Sequence, residues 1–93
     1  MVIGILKLSI FIGDSNSLKH KRMILHSFKS RMRNNFNVAV TQIDDEDKWQ
    51  KATLAIVGIE KNRQVMDRLL SHALNFTENF NGLEIIDYET ELI

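Results

Sequence analysis

The chain has 93 residues, 44% of them hydrophobic and 26% charged, with 12 Lys or Arg balancing 12 Asp or Glu and no cysteine. That length holds one domain, residues 1–93, with a single core and no deep interior cleft. The missing cysteines exclude disulfides, thiolate metal sites and cysteine nucleophiles. The apolar start is broken by Lys7 and Ser9 and lacks a basic leader, so neither a signal peptide nor a membrane-spanning helix is expected.

Residues 2–12 alternate as a strand, with Leu6, Leu8, Ile10 and Ile12 on one face and Ile3, Ile5, Lys7, Ser9 and Phe11 on the other. Gly13-Asp14-Ser15-Asn16 marks a turn. Ser17 is placed to cap a helix from 18 to about 34 with the apolar stripe Leu18, Ile24, Leu25, Phe28 and Met32. Residues 36–43 read as a second strand with Val38 and Val40 inward. The acidic connection Asp44-Asp45-Glu46-Asp47 follows, then a third strand over 49–59 with Leu54 and Ile56 inward. Asn62 caps a second helix that buries Val65, Leu69, Ala73, Phe76 and Phe80, and Gly82 breaks it. A fourth strand, 83–92, turns Ile86 and Tyr88 inward. The order βαββαβ, joined by right-handed crossovers, predicts a ferredoxin-like α+β fold: a four-stranded antiparallel sheet with both helices on one face.

Charge is distributed unevenly. Residues 1–40 carry seven Lys or Arg against Asp14, a balance of +6. Residues 41–93 carry five against eleven acids, a balance of −6. No acid occurs from Ser15 to Ile43, a pattern that points to a polyanion partner. On a helical wheel Lys19, Arg22, His26, Lys29 and Arg33 recur at spacings of three and four and form one stripe beside the apolar face. Lys21 projects toward the apolar side, yet in the first turn it has room to swing out past the sheet.

Cations at a helix start are disfavoured by roughly 0.3–1 kcal/mol each, and a bound phosphate would reverse that effect. The helix-start N–H groups, the hydroxyls of Ser15 and Ser17, the Asn16 amide and Lys19, Lys21 and Arg22 are therefore a candidate anion site. The plainer reading is a solvated helix whose basic stems cover the core edge. Solvated helices, however, ordinarily interleave both signs. The Gly-x4-Gly-Lys pattern of a phosphate loop is absent.

The sheet face away from the helices is expected to show Ile3, Ile5, Lys7, Ser9, Phe11, Thr41, Thr53, Ala55, Val57 and Ile85. Strand three lacks the glycine and aromatic pattern of RNA-recognition motifs. This face therefore suits a second copy or a protein partner, through Ile3, Ile5, Phe11 and Val57. His20, His26 and His72 lack metal-ligand spacing, and His72 is expected to be partly buried. The acids 44–47 lack the EF-hand pattern and read as a solvated hairpin tip. Trp49 is an anchor for that hairpin or for a partner. Gly4 and Gly58 suggest a bulge or close packing. Neither an enzyme nor a cofactor is expected.

The segments NSLKHKR, RNNFNVAV and DKWQKATLAIVGI resemble the YlxP-like family of small bacterial proteins, a domain of unknown function with a ferredoxin-like fold. The distinctive residues are Ser17-Leu18-Lys19 with Lys21 and Arg22, Phe36-Asn37-Val38, and Trp49 with Ala52. Two positions depart from the family, which usually has acids where His20 and Gln42 stand. The resemblance implies a cytoplasmic bacterial protein. Its relatives are often encoded beside translation and ribosome-maturation genes, so the polyanion would be RNA or a ribosomal particle. The expectation is a non-catalytic RNA-binding accessory protein. The alternatives are a homodimeric or protein-docking module, or a small-anion sensor.

Overall fold

Period-two alternation and two amphipathic helices fold as the sequence predicts, in a computed structural model that describes residues 1–13 and 15–93. Asp14, part of the predicted turn, lies outside the described residues. The elements are β1 (Val2–Phe11), α1 (Leu18–Asn35), β2 (Val38–Asp44), β3 (Lys51–Glu60), α2 (Arg63–Glu78) and β4 (Glu84–Leu92). The strands form one antiparallel sheet in the order β2-β3-β1-β4. This is the ferredoxin-like α+β arrangement, with β2 and β4 as free edges. No helix among the described residues is long and apolar enough to cross a membrane.

The core lies between the sheet and the helix layer. Leu6, Leu8 and Ile10 of β1, with Ile12 just beyond it, lie beside Ala52, Leu54 and Ile56 of β3 on the inner sheet face, and Leu25, Phe28 and Met32 of α1 with Met66, Leu70 and Ala73 of α2 close over them. Phe28 ties the helices together, with its ring centroid 6.1 Å from that of Phe76 and 5.2 Å edge-on from that of Phe80. Phe36 stands edge-on to Phe76 at 5.7 Å. Such aromatic pairs contribute about 0.5–1.5 kcal/mol each beyond their buried area.

Four sequence expectations are corrected. Helix α2 buries Met66, Leu70, Ala73 and Thr77, whereas the expected Val65, Leu69, Phe76 and Phe80 are only partly buried. The β1–β4 register shifts between Ser9 and Ile10, so that Ile10 faces Ile85 while Ser9 faces Asp87. Ile86 is the extra residue and stands exposed, whereas Ile85 packs against the core and not on the open face. A β-bulge inverts the alternation beyond it. Tyr88 does pair with Leu8 on the helix side, but it is half-exposed because β4 is an edge strand. His72 is exposed, not partly buried.

Gly4 and Gly58 face each other across β1 and β3, where α2 crosses closely. A Cβ on Gly4 would lie 2.3 Å from the Met66 sulfur, and one on Gly58 2.8 Å from a Leu69 methyl. Gly4→Ala should therefore overpack this crossing and destabilise the fold by roughly 1–3 kcal/mol, measured by urea denaturation.

Candidate functional site

Helix α1 buries Lys21, Leu25, Phe28 and Met32. On one flank of that arc Arg31 sits over the Phe80 ring, 5.7 Å from its centroid, so this flank turns toward the end of α2. The stripe Lys19, Arg22, His26, Lys29 and Arg33 occupies the opposite flank, on the β2 side where α1 packs. Lys19, Arg22, His26 and Arg33 are exposed and Lys29 is half-buried. The ion pairs among the described residues join Asp45 to Lys48 at 3.1 Å and to Lys51 at 3.9 Å. Neither involves α1. The stripe is a basic ridge that no described carboxylate neutralises.

The first turn behaves differently from the expected anion site. Ser17 is the N-cap, its Oγ accepting from the His20 N–H at 3.0 Å. Ser15 is buried and its hydroxyl donates to the Ser17 carbonyl at 3.0 Å. Lys21 does not swing out. It is 1% exposed, and its Nζ donates to the Asp45 carbonyl and, at 2.6 Å, to the Lys48 carbonyl. The wheel aims Lys21 into the apolar arc, and the loop between β2 and β3 supplies two acceptors there. Ser15 and Lys21 are thus spent on structure. Of the polar side chains proposed for a small anion, Asn16, Lys19 and Arg22 remain exposed.

The acidic connection is likewise only partly a solvated tip. Asp45 is nearly buried and adopts a left-handed backbone, φ 65°, which Asp tolerates better than most residues. Its Oδ2 accepts from the Thr53 hydroxyl at 2.7 Å. Gln50, which sequence reasoning passed over, donates its side-chain amide to the Gly13 and Ser15 carbonyls at 3.3 and 3.2 Å. Loop 45–50 is therefore fastened to α1 by Lys21 and to the β1–α1 connection by Gln50. Trp49 lies in this loop rather than in β3, and its side chain is 58% exposed. It is not an anchor buried under the hairpin.

The proposed interface residues on the open sheet face do not form one apolar surface. Ile3 pairs with Ile59 on β3 and hydrogen-bonds Ile93 beyond β4, making an aliphatic corner that Ile5 and Val57 extend. Phe11 stands at the far end. Between them lie Lys7 and the acids Asp87, Glu89 and Glu91, which register with Ser9, Lys7 and Ile5. A hollow of about 570 Å³ beside Lys7 is lined by Ser9, Asp45, Lys48, Lys51 and Thr53.

Burial pushes the Lys21 ammonium below the usual lysine range, and the carboxylates of Asp45, Asp47 and Glu46 partly restore it. The Thr53 hydroxyl and then Lys48 hold Asp45 below its ordinary value of 3.8. A carboxyl depressed by folding stabilises above the unfolded value and loses that contribution as pH falls through the folded one. Stability should therefore decline as pH drops below 3.8, more weakly in Thr53→Val, as read by denaturant titration across that range. Lys21→Met keeps the stem but removes both hydrogen bonds. It should destabilise the fold by roughly 1.5–3 kcal/mol, read as a lower denaturation midpoint.

Comparison with known proteins agrees with this architecture. A family model described as a protein of unknown function, DUF503, matches residues 3–90. A protein of Bacillus subtilis (strain 168), named as uncharacterized protein YlxP, is 31% identical over 90 residues, covering 97% of this chain and 98% of its own. Among solved structures, the structural-genomics protein YJCS superposes with a TM-score of 0.60 at 9% identity, over 96% of both chains. SnoaB, a cofactor-independent oxygenase from Streptomyces nogalater, gives 0.51 at 10% identity over 99% of this chain and 90% of its own. At such identities those two structures share the fold alone. The family match over nearly the whole length, on a sheet and helix pair of the expected topology, makes this chain a member of the DUF503 family of proteins of unknown function.

Proposed function

We propose that this protein binds RNA without catalysis, as an accessory factor in translation or ribosome maturation. The observation that carries this reading is the ridge Lys19, Arg22, His26, Lys29 and Arg33, which runs along about four turns of α1, exposed except for the half-buried Lys29 and with no ion pair to a described carboxylate. Uncompensated cations repel one another and lose that penalty when a phosphate backbone displaces their counterions. Phosphate contacts position a nucleic acid without reading its sequence, and a single helix flank offers little else. RNA is favoured over other polyanions by the translation-linked gene neighbourhood that the family resemblance implies. The open sheet face offers self-association as the alternative. Its aliphatic corner favours that reading, while Lys7, Asp87 and Glu89 oppose it, because two such faces closing would bury those charges.

Titration of a structured RNA at several salt concentrations tests the proposal. Four phosphate contacts from Lys19, Arg22, Lys29 and Arg33 should give a slope of log K against log salt of about −3. The double variant Lys29→Gln/Arg33→Gln should lower that slope in magnitude by about 1.4. Lys21→Met should leave it unchanged, since Lys21 faces inward. A salt-independent Kd overturns the reading.

A further inference from the structure

Beyond the ridge itself, we infer that Trp49 is a stacking platform for an unpaired nucleotide at the N-terminal end of α1, so that the favoured RNA is single-stranded or carries a loop, bulge or free end. This inference rests on the RNA-binding reading and narrows it to a substrate class.

The placement of Trp49 is what carries it. A solitary exposed aromatic needs no explanation in general. Here, however, the residues on either side of Trp49 are fastened, one to the first turn of α1 and the other to the connection just before it. The Lys48 carbonyl accepts from Lys21, and the Gln50 side chain donates to the Ser15 carbonyl. The Ile12 N–H also bonds the Gln50 carbonyl at 2.8 Å. The backbone of Trp49 is therefore held beside the turn that bears Lys19 and Arg22, while its indole is left in water. An exposed π-face on a tethered backbone, at the end of a row of cations, is the arrangement by which single strands are bound. The cations track phosphates and the aromatic takes a base. Because every base has a π-face, such a site tolerates any sequence.

The same loop limits how a strand lies. Glu46 and Asp47 are exposed beside Trp49 and repel phosphate. Asp45 is already compensated by Lys48 and Lys51. A nucleotide on Trp49 must then direct its phosphate away from the loop tip and toward Lys19 and Arg22. Continuous A-form duplex cannot do this, because its bases are stacked inside and its rigid backbone would pass the acids.

The chain has a single tryptophan, so its fluorescence reports directly on the site. The test compares a single-stranded oligoribonucleotide with a blunt RNA duplex in low salt. The single strand should quench the emission and the duplex should not. Trp49→Ala should weaken single-strand binding by about 5–150-fold and leave duplex binding unaltered. Trp49→Phe should recover much of the loss, and melting temperatures should match the parent because the indole is exposed. Glu46→Gln/Asp47→Asn should tighten single-strand binding. Equal affinity for both RNAs, with no quenching and no effect of Trp49→Ala, overturns the stacking inference and leaves the RNA reading standing. Binding to neither overturns both.

Discussion

The ammonium of Lys21, held by the carbonyls of Asp45 and Lys48, organises one whole end of the molecule. A lysine in a core arc is costly, since its charge loses water. The position nonetheless suits lysine in two ways. Its aliphatic stem continues the arc of Leu25, Phe28 and Met32, and its head reaches carbonyls of a loop that no ladder partner serves. The acids of that loop add a negative field around it. An apolar residue would fill the same space, leaving the Asp45 carbonyl only its bond from the Lys48 N–H and the Lys48 carbonyl to find water. The loop would then lose its fixed position against α1.

That single contact also separates the chain's charges. It uses one of the seven cations of the first forty residues for structure, and Asp45, compensated by Lys48 and Lys51, uses one of the acids. Two further groups of charge lie on different layers. The basic ridge runs along the helix layer on the β2 side. Asp87, Glu89 and Glu91 project from β4 onto the open face, in register with β1 residues there. The sheet lies between these three acids and the ridge, and no ion pair among the described residues joins an acid of the C-terminal half to α1.

The period-two and period-3.6 patterns were sufficient to place β1, α1, β3 and α2 along the chain, because each buries one continuous face, though the buried face of α2 is turned onto Met66, Leu70, Ala73 and Thr77. They were insufficient for β4. A bulge at Ile86 reverses which residues face the core, and its cause lies in pairing with β1, which local alternation does not encode. The ridge was legible because a wheel needs only spacing. The partner of Lys21 was not, even though the wheel aimed it inward, because the acceptors are backbone carbonyls of a loop 24 and 27 residues away. Backbone groups carry no sequence signature. The Ser17 cap was legible because capping follows a local pattern, whereas the Ser15 hydroxyl, expected at an anion site, is turned to the Ser17 carbonyl, and Trp49 read as a strand residue although it closes a tethered loop.

Tethering also bears on how binding energy would be used. A flexible loop that orders on contact spends part of the interaction on lost chain freedom, at about 0.5–1.5 kcal/mol per immobilised side chain. The loop that carries Trp49 is already tethered by Lys21 and Gln50, so an incoming base would meet a platform whose backbone needs little rearrangement. The three segments that mark the family resemblance reflect this economy. The one beginning at Asn16 supplies Ser17 and Lys21, and the one beginning at Asp47 supplies Lys48, Trp49 and Gln50. The third supplies Phe36, whose ring seats α1 on α2 through Phe76. Two of the three meet at the same end of the fold. They hold there the one aromatic side chain that combines a fixed backbone, wide exposure and cations on the adjoining helix turn.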